Sequence, residues 1–494
     1  MGIIQRQTIK GSIYSYIGAF IGFVNVGLLI PKIFLTNQVG LTNLLLAISI
    51  ILIQFAGLGV NSVTTRLFPY FRNDKNNNNG YLFIALIVTL IGFCLALLAF
   101  FIFTPYIIEQ NVNKSPLFVK YIYYIIPLTF FTLIFNVLDN YNKVLYDAVF
   151  GTFLRDFVCR ILNFVIILFF AFNIIDFDKY VLLYVLVYSS PAFFITVLLL
   201  KRKQFNLKPN LSFITPELKK MMISVAFFGL LTGFSAMAIV NIDRYMINSM
   251  IDLSATGIYS ITFFFGTLII IPARSLRKVS SAIIADAWKE KDVKTINQIY
   301  FKSTINQLII GSLLFIGIWA NINNVFQFLP SDYQSGKYVI LFIGLLNLFD
   351  MSSGVSGSII STSRDYRILT YLLVAFLVLV VVSNLIFIPI FGIVGAALAS
   401  LISNFLFLFS KYIFLVKKYK MQPYNYKHLL IVLISAGSYL LSLLIPEMSN
   451  FYFDIIVRSA FITIIFFFLI YFTKVSDEIN QTVEKFLRFI LKKE

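Results

Sequence analysis

The side chains with the most chemistry in this sequence are charges placed inside or at the ends of long apolar runs. Ionisable groups are costly there and mark a function or an internal partner. Arg274, Arg277 and Lys278 stand at i, i+3 and i+4, which puts all three on one face of a helix, and Ser281 extends that face at i+7. A cationic face of this kind suits phosphate oxygens, because a guanidinium forks across two of them. The same spacing also serves plain anchoring at the headgroups. Asn241-Ile242-Asp243-Arg244-Tyr245 lies late in another run. Adjacent helical residues point about 100° apart, so Asp243 and Arg244 meet different neighbours, unless both snorkel to the interface. Asp350 sits mid-run among Ser352, Ser353, Ser356 and Ser358. A carboxylate in that position is a candidate for coupling to a proton or cation, or for a hydrogen bond to a neighbouring helix. Arg66, with Asn61, Thr64 and Thr65 near it, closes the set as a gate or an anchor.

No catalytic constellation accompanies these charges. The sequence holds no Gly-rich phosphate loop with a Lys, no nucleophile elbow and no His-based metal site. The expectation is therefore a non-enzyme with no cofactor and no metal. Cys94 and Cys159 imply neither a disulfide framework nor a zinc site, and the single His428 reads as an interfacial residue.

The elements that must hold these residues are set by composition. The 494 residues are 59% hydrophobic and 13% charged, against about 25% charged in soluble domains. Lipid is the solvent that accommodates such a chain, and it requires helices or closed barrels. Runs such as Leu372 to Val382 show none of the alternation a barrel needs. A hydrocarbon core of about 30 Å takes roughly twenty helical residues. Runs of that kind lie near 11–34, 39–63, 81–104, 119–139, 157–175, 180–200, 223–249, 255–275, 303–322, 337–360, 368–389, 392–415, 428–446 and 454–473. The expected fold class is thus an all-α polytopic membrane protein of about fourteen spans.

The net charge of +18 points to topology, not to nucleic acid. With the N-terminus in the cytoplasm, 33 of the 40 Lys and Arg fall in cytoplasmic segments and 7 on the other side. The positive-inside rule therefore places both termini in the cytoplasm of a bacterial-type inner membrane. The longest polar connection, Lys201 to Lys220, carries Pro209 and Pro216. It divides a six-helix lobe at 1–213 from a second at 214–420, followed by an additional helix pair at 421–473. The tail at 474–494 places Val475, Ile479, Phe486, Ile490 and Leu491 near one helical face, with Lys485, Lys492 and Lys493 elsewhere. It reads as an amphipathic helix on the cytoplasmic leaflet.

The lobes echo each other. Val39-Gly40-Leu41 opens the second span and Thr256-Gly257-Ile258 the eighth, 217 residues later. Leu154-Arg155-Asp156-Phe157 precedes the fifth and Ser363-Arg364-Asp365-Tyr366 the eleventh, 209 residues later. A six-span repeat keeps both halves in one orientation, which implies a pseudo-twofold axis along the membrane normal and a cavity between the halves.

Several of these stretches carry a family resemblance. Asp243-Arg244-Tyr245-Met246-Ile247 followed by Ala255-Thr256-Gly257-Ile258-Tyr259-Ser260 resembles the central signature of polysaccharide-biosynthesis flippases. These form the oligosaccharide-lipid branch of the multidrug/oligosaccharidyl-lipid/polysaccharide exporter superfamily. Lys10-Gly11-Ser12-Ile13-Tyr14-Ser15-Tyr16-Ile17-Gly18, Gly57-Leu58-Gly59 with Arg66, and Gly392-Ile393-Val394-Gly395-Ala396-Ala397 are similar to the family as well. The resemblance implies two six-helix bundles facing a central cationic cavity, plus two extra C-terminal helices. It implies translocation of undecaprenyl-pyrophosphate-linked oligosaccharide to the outer leaflet by alternating access, for a surface polymer such as O-antigen. In that reading Arg274, Arg277, Lys278, Arg244 and Arg66 meet the pyrophosphate, and a proton or monovalent cation acts at Asp243 or Asp350. Partners are the lipid-linked oligosaccharide, membrane lipids and other polysaccharide-assembly proteins of the membrane. The rivals are a lipid II flippase, a drug/cation antiporter of the same fold, and a membrane-embedded polymerase or glycosyltransferase. A polymerase would need a large outer loop and a transferase an acidic metal-binding motif on a cytoplasmic domain, and neither is present in the sequence.

Overall fold

The computed structural model describes residues 3–478, 480, 481 and 484, with the side chains of 1–12, 74 and 75 left aside. Among them every regular element is helical. In chain order the principal helices are α1 (Ile3–Phe23), α2 (Thr36–Ala56), α3 (Val60–Phe71), α4 (Tyr81–Asn111), α5 (Ile125–Val144), α6 (Cys159–Ala171), α7 (Phe177–Lys201) and α8 (Pro216–Met250). They continue as α9 (Leu253–Thr267), α10 (Ile271–Lys289), α11 (Val293–Ala320), α12 (Lys337–Ser352), α13 (Ser356–Thr362), α14 (Arg367–Tyr419), α15 (Tyr426–Ser442) and α16 (Phe451–Phe472). Most of the amphipathic tail expected at 474–494, including Ile479, Phe486, Ile490 and Leu491, lies outside the described residues.

Helix starts follow the local sequence. Asp176, Thr215 and Asp292 each accept a backbone N–H three residues on, at 2.8, 3.2 and 3.0 Å. Pro216 then occupies the first turn of α8, where its missing N–H costs nothing.

The chain is a multi-pass membrane protein. Among the described residues ten helices are long and apolar enough to cross a membrane, or eleven if the bent pair α12 and α13 is one span. The fourteen runs expected from the sequence fall mainly on helix, and the numbers part at four places. The two runs around Gly392 share the stretch Arg367–Tyr419, α14, yet remain two helices: Gly392 takes φ 59° and ψ −138°, and beyond it the chain doubles back so that Phe407 stacks on Phe376 at 4.7 Å. The run at 157–175 lies on a helix that is continuous through a π segment at Phe153–Val158 and the 13-residue α6, but Arg155, Asp156 and Arg160 crowd it with charge. α12 and α13 meet at a 55° bend. α15, with 17 residues, falls just short.

The chain divides into two compact units, Met1–Ile261 and Thr262–Glu494. In the first, the core gathers Phe68, Phe71, Tyr81, Leu138 and Tyr141. Its buried polar atoms find each other, as they must away from water: the Tyr81 hydroxyl donates to Thr64 Oγ1 at 2.7 Å, and Asn78 Nδ2 to the Tyr141 hydroxyl at 3.1 Å. Gly59, at φ 73°, breaks the second span between α2 and α3. In the second unit, α11 packs against α15 and α16 through Ile305, Ile309, Ile431 and Phe466. The eighth span is interrupted too, by a 3-10 turn at Leu268–Ile270 between α9 and α10. Large apolar side chains such as Ile102 on α4 and Phe193 on α7 are exposed on the helices, as a surface solvated by lipid requires.

Candidate functional site

The 3-10 turn that interrupts the eighth span leads into α10, whose first turns carry Arg274, Arg277 and Lys278. Arg274 and Lys278 are exposed. Arg277 instead reaches Asp350 near the end of α12. Its Nη1 lies 2.7 Å from Asp350 Oδ2 and its Nη2 donates to the Asp350 carbonyl at 2.8 Å. The side chains are 29% and 23% exposed. Asp350 ends its helix two residues later at Ser352, where Ser353 Oγ also donates to the Asp350 carbonyl at 2.7 Å. Arg277 Nε is buried and has no acceptor among the described residues.

A third charge joins them. Lys411 lies on α14, two turns before the end of that helix, and is 5% exposed. Its ammonium stands 4.6 Å from the centre of the Phe407 ring, a cation–π contact. Asp350 and Arg277 are the charged groups that bear on it. Sequence reasoning counts Lys411 with the basic residues of the next loop, whereas the structure buries it. The signal is visible afterwards: within Phe405–Val416 it is the only charge in a run of large apolar side chains.

In the first unit, Asp243 is 2% exposed and accepts from the Tyr259 hydroxyl at 2.6 Å. Arg244 takes other partners: Nε donates to Ser260 Oγ at 3.2 Å and Nη1 to the Val240 carbonyl at 3.2 Å. Arg66 is exposed on α3. Beside it, Asn140 Nδ2 donates to the Asn61 carbonyl at 2.7 Å, which fixes α5 against α3.

The residue types of the second unit recur here at one offset. Arg277 and Asp350 each stand 211 residues after Arg66 and Asp139 (277 − 66 and 350 − 139). Asp139 is bonded instead by Lys143 of its own helix.

His428 is buried in the first turn of α15, and its Nε2 shares a hydrogen bond with Thr304 Oγ1 at 2.9 Å. It borders an apolar cavity of about 600 Å³ between α11, α12 and α15, walled by Trp319, Leu345, Phe349 and Tyr439. Cys94 and Cys159 are free. Among the described residues no group of three His, Cys, Asp or Glu could hold a metal ion. Outside the spans, Asp365 accepts from the Tyr419 hydroxyl at 2.6 Å, and with Lys418 beside it at 3.4 Å its carboxyl is held below the usual range.

The fold is that of the MOP-superfamily transporters. No protein-family model and no curated protein sequence matches the chain. Among solved structures it is similar to the lipid II flippase MurJ in an inward closed conformation, with a TM-score of 0.75, 13% identity, and 93% of this chain and 98% of that one covered. It is also similar to a multidrug resistance MATE family transporter in an inward-facing conformation, with a TM-score of 0.60, 15% identity, and coverage of 81% and 97%. A third is a MOP-superfamily transporter from Pyrococcus furiosus described as having a binding pocket of reverse polarity, with a TM-score of 0.54, 16% identity, and coverage of 83% and 94%.

Proposed function

We propose that the chain is a flippase that carries an undecaprenyl-pyrophosphate-linked oligosaccharide from the cytoplasmic to the outer leaflet of a bacterial inner membrane by alternating access. One observation carries this reading. Inside the apolar spans of the second unit, Arg277 is paired with one carboxylate, Asp350, and a second cation, the largely buried Lys411, lies within electrostatic reach of both. Such a cluster is net positive where water is scarce, so an anionic headgroup lowers its energy and a cationic drug raises it. Arg274 and Lys278 add exposed cations on the same helix. In this reading Arg244 and Arg66 are further phosphate partners, and Asp243 and Asp350 are the carboxylates at which a proton or monovalent cation resets the carrier.

A second reading has its own support. The likeness to MurJ runs over nearly the full length of both chains, 93% of this one and 98% of that one. Lipid II also carries a polyprenyl pyrophosphate, so the cluster suits it equally.

Complementation separates the two. The chain is expressed in cells deleted for their O-antigen flippase, and surface polymer is scored against lipid-linked units trapped inside. Restored surface polymer is the expected result. Rescue only of cells depleted of lipid II flippase moves the substrate to the peptidoglycan precursor. Failure of both, with dye efflux gained, overturns the proposal in favour of an antiporter. Loss of transport in the triple variant R274A/R277A/K278A is expected, and full transport by that variant removes the phosphate-binding role of α10.

A further inference from the structure

The apolar cavity of the second unit, about 600 Å³, has a definite length and two unlike ends. Its walls run from Leu308 to Trp319 on α11, from Leu341 to Ser352 on α12 and from His428 to Tyr439 on α15. Each interval is eleven residues (319 − 308, 352 − 341 and 439 − 428). At 1.5 Å per residue each wall is about 16 Å long, roughly half of a 30 Å hydrocarbon core. That is the depth of one leaflet. Leu308, Ser352 and His428 share one end. There His428 Nε2 meets Thr304 Oγ1, one turn before Leu308, and the Tyr424 hydroxyl donates to the Ser352 carbonyl at 3.3 Å.

The groove opens sideways. Leu429 and Val432 line it and are 63% and 51% exposed, so its rim lies on the outer surface of α15. Its middle is kept open by small buried side chains, Ser312 on α11 and Ser435 on α15.

These features choose the ligand. The walls carry no charge, so a polar solute would lose its hydration there without return. Hydrocarbon fits, and the length suits one acyl chain, whereas an undecaprenyl tail is far longer than the groove. Polar groups stand at one end only, as the ester of a phospholipid needs. The segment leading into that end, Lys417 to Lys427, holds four lysines and no acidic residue. Lys418 pairs with Asp365. Lys417, Lys420 and Lys427 add to a positive field that favours an anionic headgroup.

We infer that the cavity is a binding site for one acyl chain of an anionic phospholipid from the cytoplasmic leaflet, with the headgroup at the Tyr424–His428 end. The site goes beyond the flippase reading and does not depend on it. Phe349 and Ser352 line the cavity on either side of Asp350. A seated chain therefore braces the end of α12, where Asp350 holds Arg277.

The test uses a fluorophore already in place. The chain has two tryptophans, and Trp319 stands at the far end of the groove. W288F leaves it as the sole tryptophan. Phosphatidylglycerol brominated near the methyl end or near the ester of its chains is titrated into the purified full-length W288F chain in dodecyl maltoside. Quenching should saturate at one lipid per chain and be stronger with bromine near the methyl end. S435F and S312L, which block the groove midway, should each weaken binding by at least about tenfold, since two buried methylenes are worth that much. Native mass spectrometry gives the same readout with both tryptophans present: one phosphatidylglycerol retained by wild type, none by the blocked variants.

Quenching that never saturates, or that is strongest with bromine near the ester, means lipid lies only around the helices and overturns the site. Unchanged binding in both blocked variants does the same. Displacement of the brominated lipid by equimolar undecaprenyl phosphate overturns the phospholipid and gives the groove to a polyprenyl tail. Equal binding of brominated phosphatidylethanolamine overturns the anionic headgroup. No readout involves transport, so failure of the site leaves the flippase reading as it stands.

Discussion

Arg277 grips Asp350 at two points, the carboxylate at 2.7 Å and the backbone carbonyl at 2.8 Å. The two residues lie 73 positions apart and join α10 to α12, so the fork ties the cationic face to the bend that separates α12 from α13. With both side chains less than a third exposed, the pair is screened little by water. D350A should therefore lower stability by about 2–4 kcal/mol, chiefly by stranding the guanidinium. R277M/D350L should recover most of that loss. A double-mutant cycle on thermal unfolding in detergent should give a coupling of about 1–3 kcal/mol. Additive single effects would mean that the fork contributes nothing.

Gly40 and Gly257, which open the echoed second and eighth spans, approach each other. A Cβ on Gly40 would lie 1.9 Å from the Leu253 carbonyl oxygen, and one on Gly257 1.9 Å from that of Thr36. Both obstacles are backbone, which cannot turn aside as a side chain can. G40A and G257A should each cost about 1–3 kcal/mol and lower the yield of folded protein. Gly437 has open space around its Cβ position within a helix. G437A should instead be neutral or stabilising by up to about 1 kcal/mol. Equal unfolding midpoints for all three variants would refute the close approach.

These glycines show how far the sequence carries. A run of twenty apolar residues leaves only helix as a solution in lipid, so the spans are readable one by one. Glycine marks the breaks at Gly59 and Gly392. At Gly392 the break is a reversal, and the two spans expected there are two helices packed together through Phe376 and Phe407. Charge partners are less accessible. The period of a helix says that Arg274, Arg277 and Lys278 share a face, but nothing local says that only Arg277 finds a carboxylate. Lys411 is misplaced for a related reason: counting positive charges assigns every lysine to the nearest loop, and a lysine buried against Phe407 violates that assumption. The pairing of Asp454 with Arg458 was within reach, since an acid and a base four apart on an apolar helix can meet.

Asp365 gives the chain a pH-dependent contact outside the spans. Its carboxyl is held below the usual range, first by the Tyr419 hydroxyl and then by Lys418. A lowered value in the folded chain means the contribution is complete above the unfolded carboxylate value of about 4 and is lost as pH falls through the folded value. D365N should reduce stability at pH 7 by about 1 kcal/mol, and the difference from wild type should shrink as pH falls below the unfolded carboxylate value. Unfolding midpoints of the two proteins across that range are the measurement. A gap that persists unchanged at acid pH would show that the ionised carboxylate is not the source.

Arg458 on α16 is more deeply enclosed than Arg277. Its side chain is 6% exposed and that of Asp454 is 2%. The guanidinium spans both Asp454 oxygens at 3.1 and 3.0 Å and also donates to the Ser442 and Ile445 carbonyls at 2.9 and 3.3 Å. Those carbonyls close the end of α15, and Asp454 is held in turn by Asn324 Nδ2 from the helix Ile322–Phe328. One residue thus caps a neighbouring helix, neutralises a buried acid and fixes α16 to the bundle beside α11. R458A would strand a buried carboxylate and two carbonyls, at a cost of about 3–5 kcal/mol. R458K would keep the charge but lose the fork, and should fall between. D454N/R458M should be milder than R458A, because no bare charge is left behind. The order R458A, then R458K, with D454N/R458M closest to wild type, can be read from unfolding midpoints of the purified chain. Indistinguishable midpoints would mean that the helix pair is held by its apolar contacts alone.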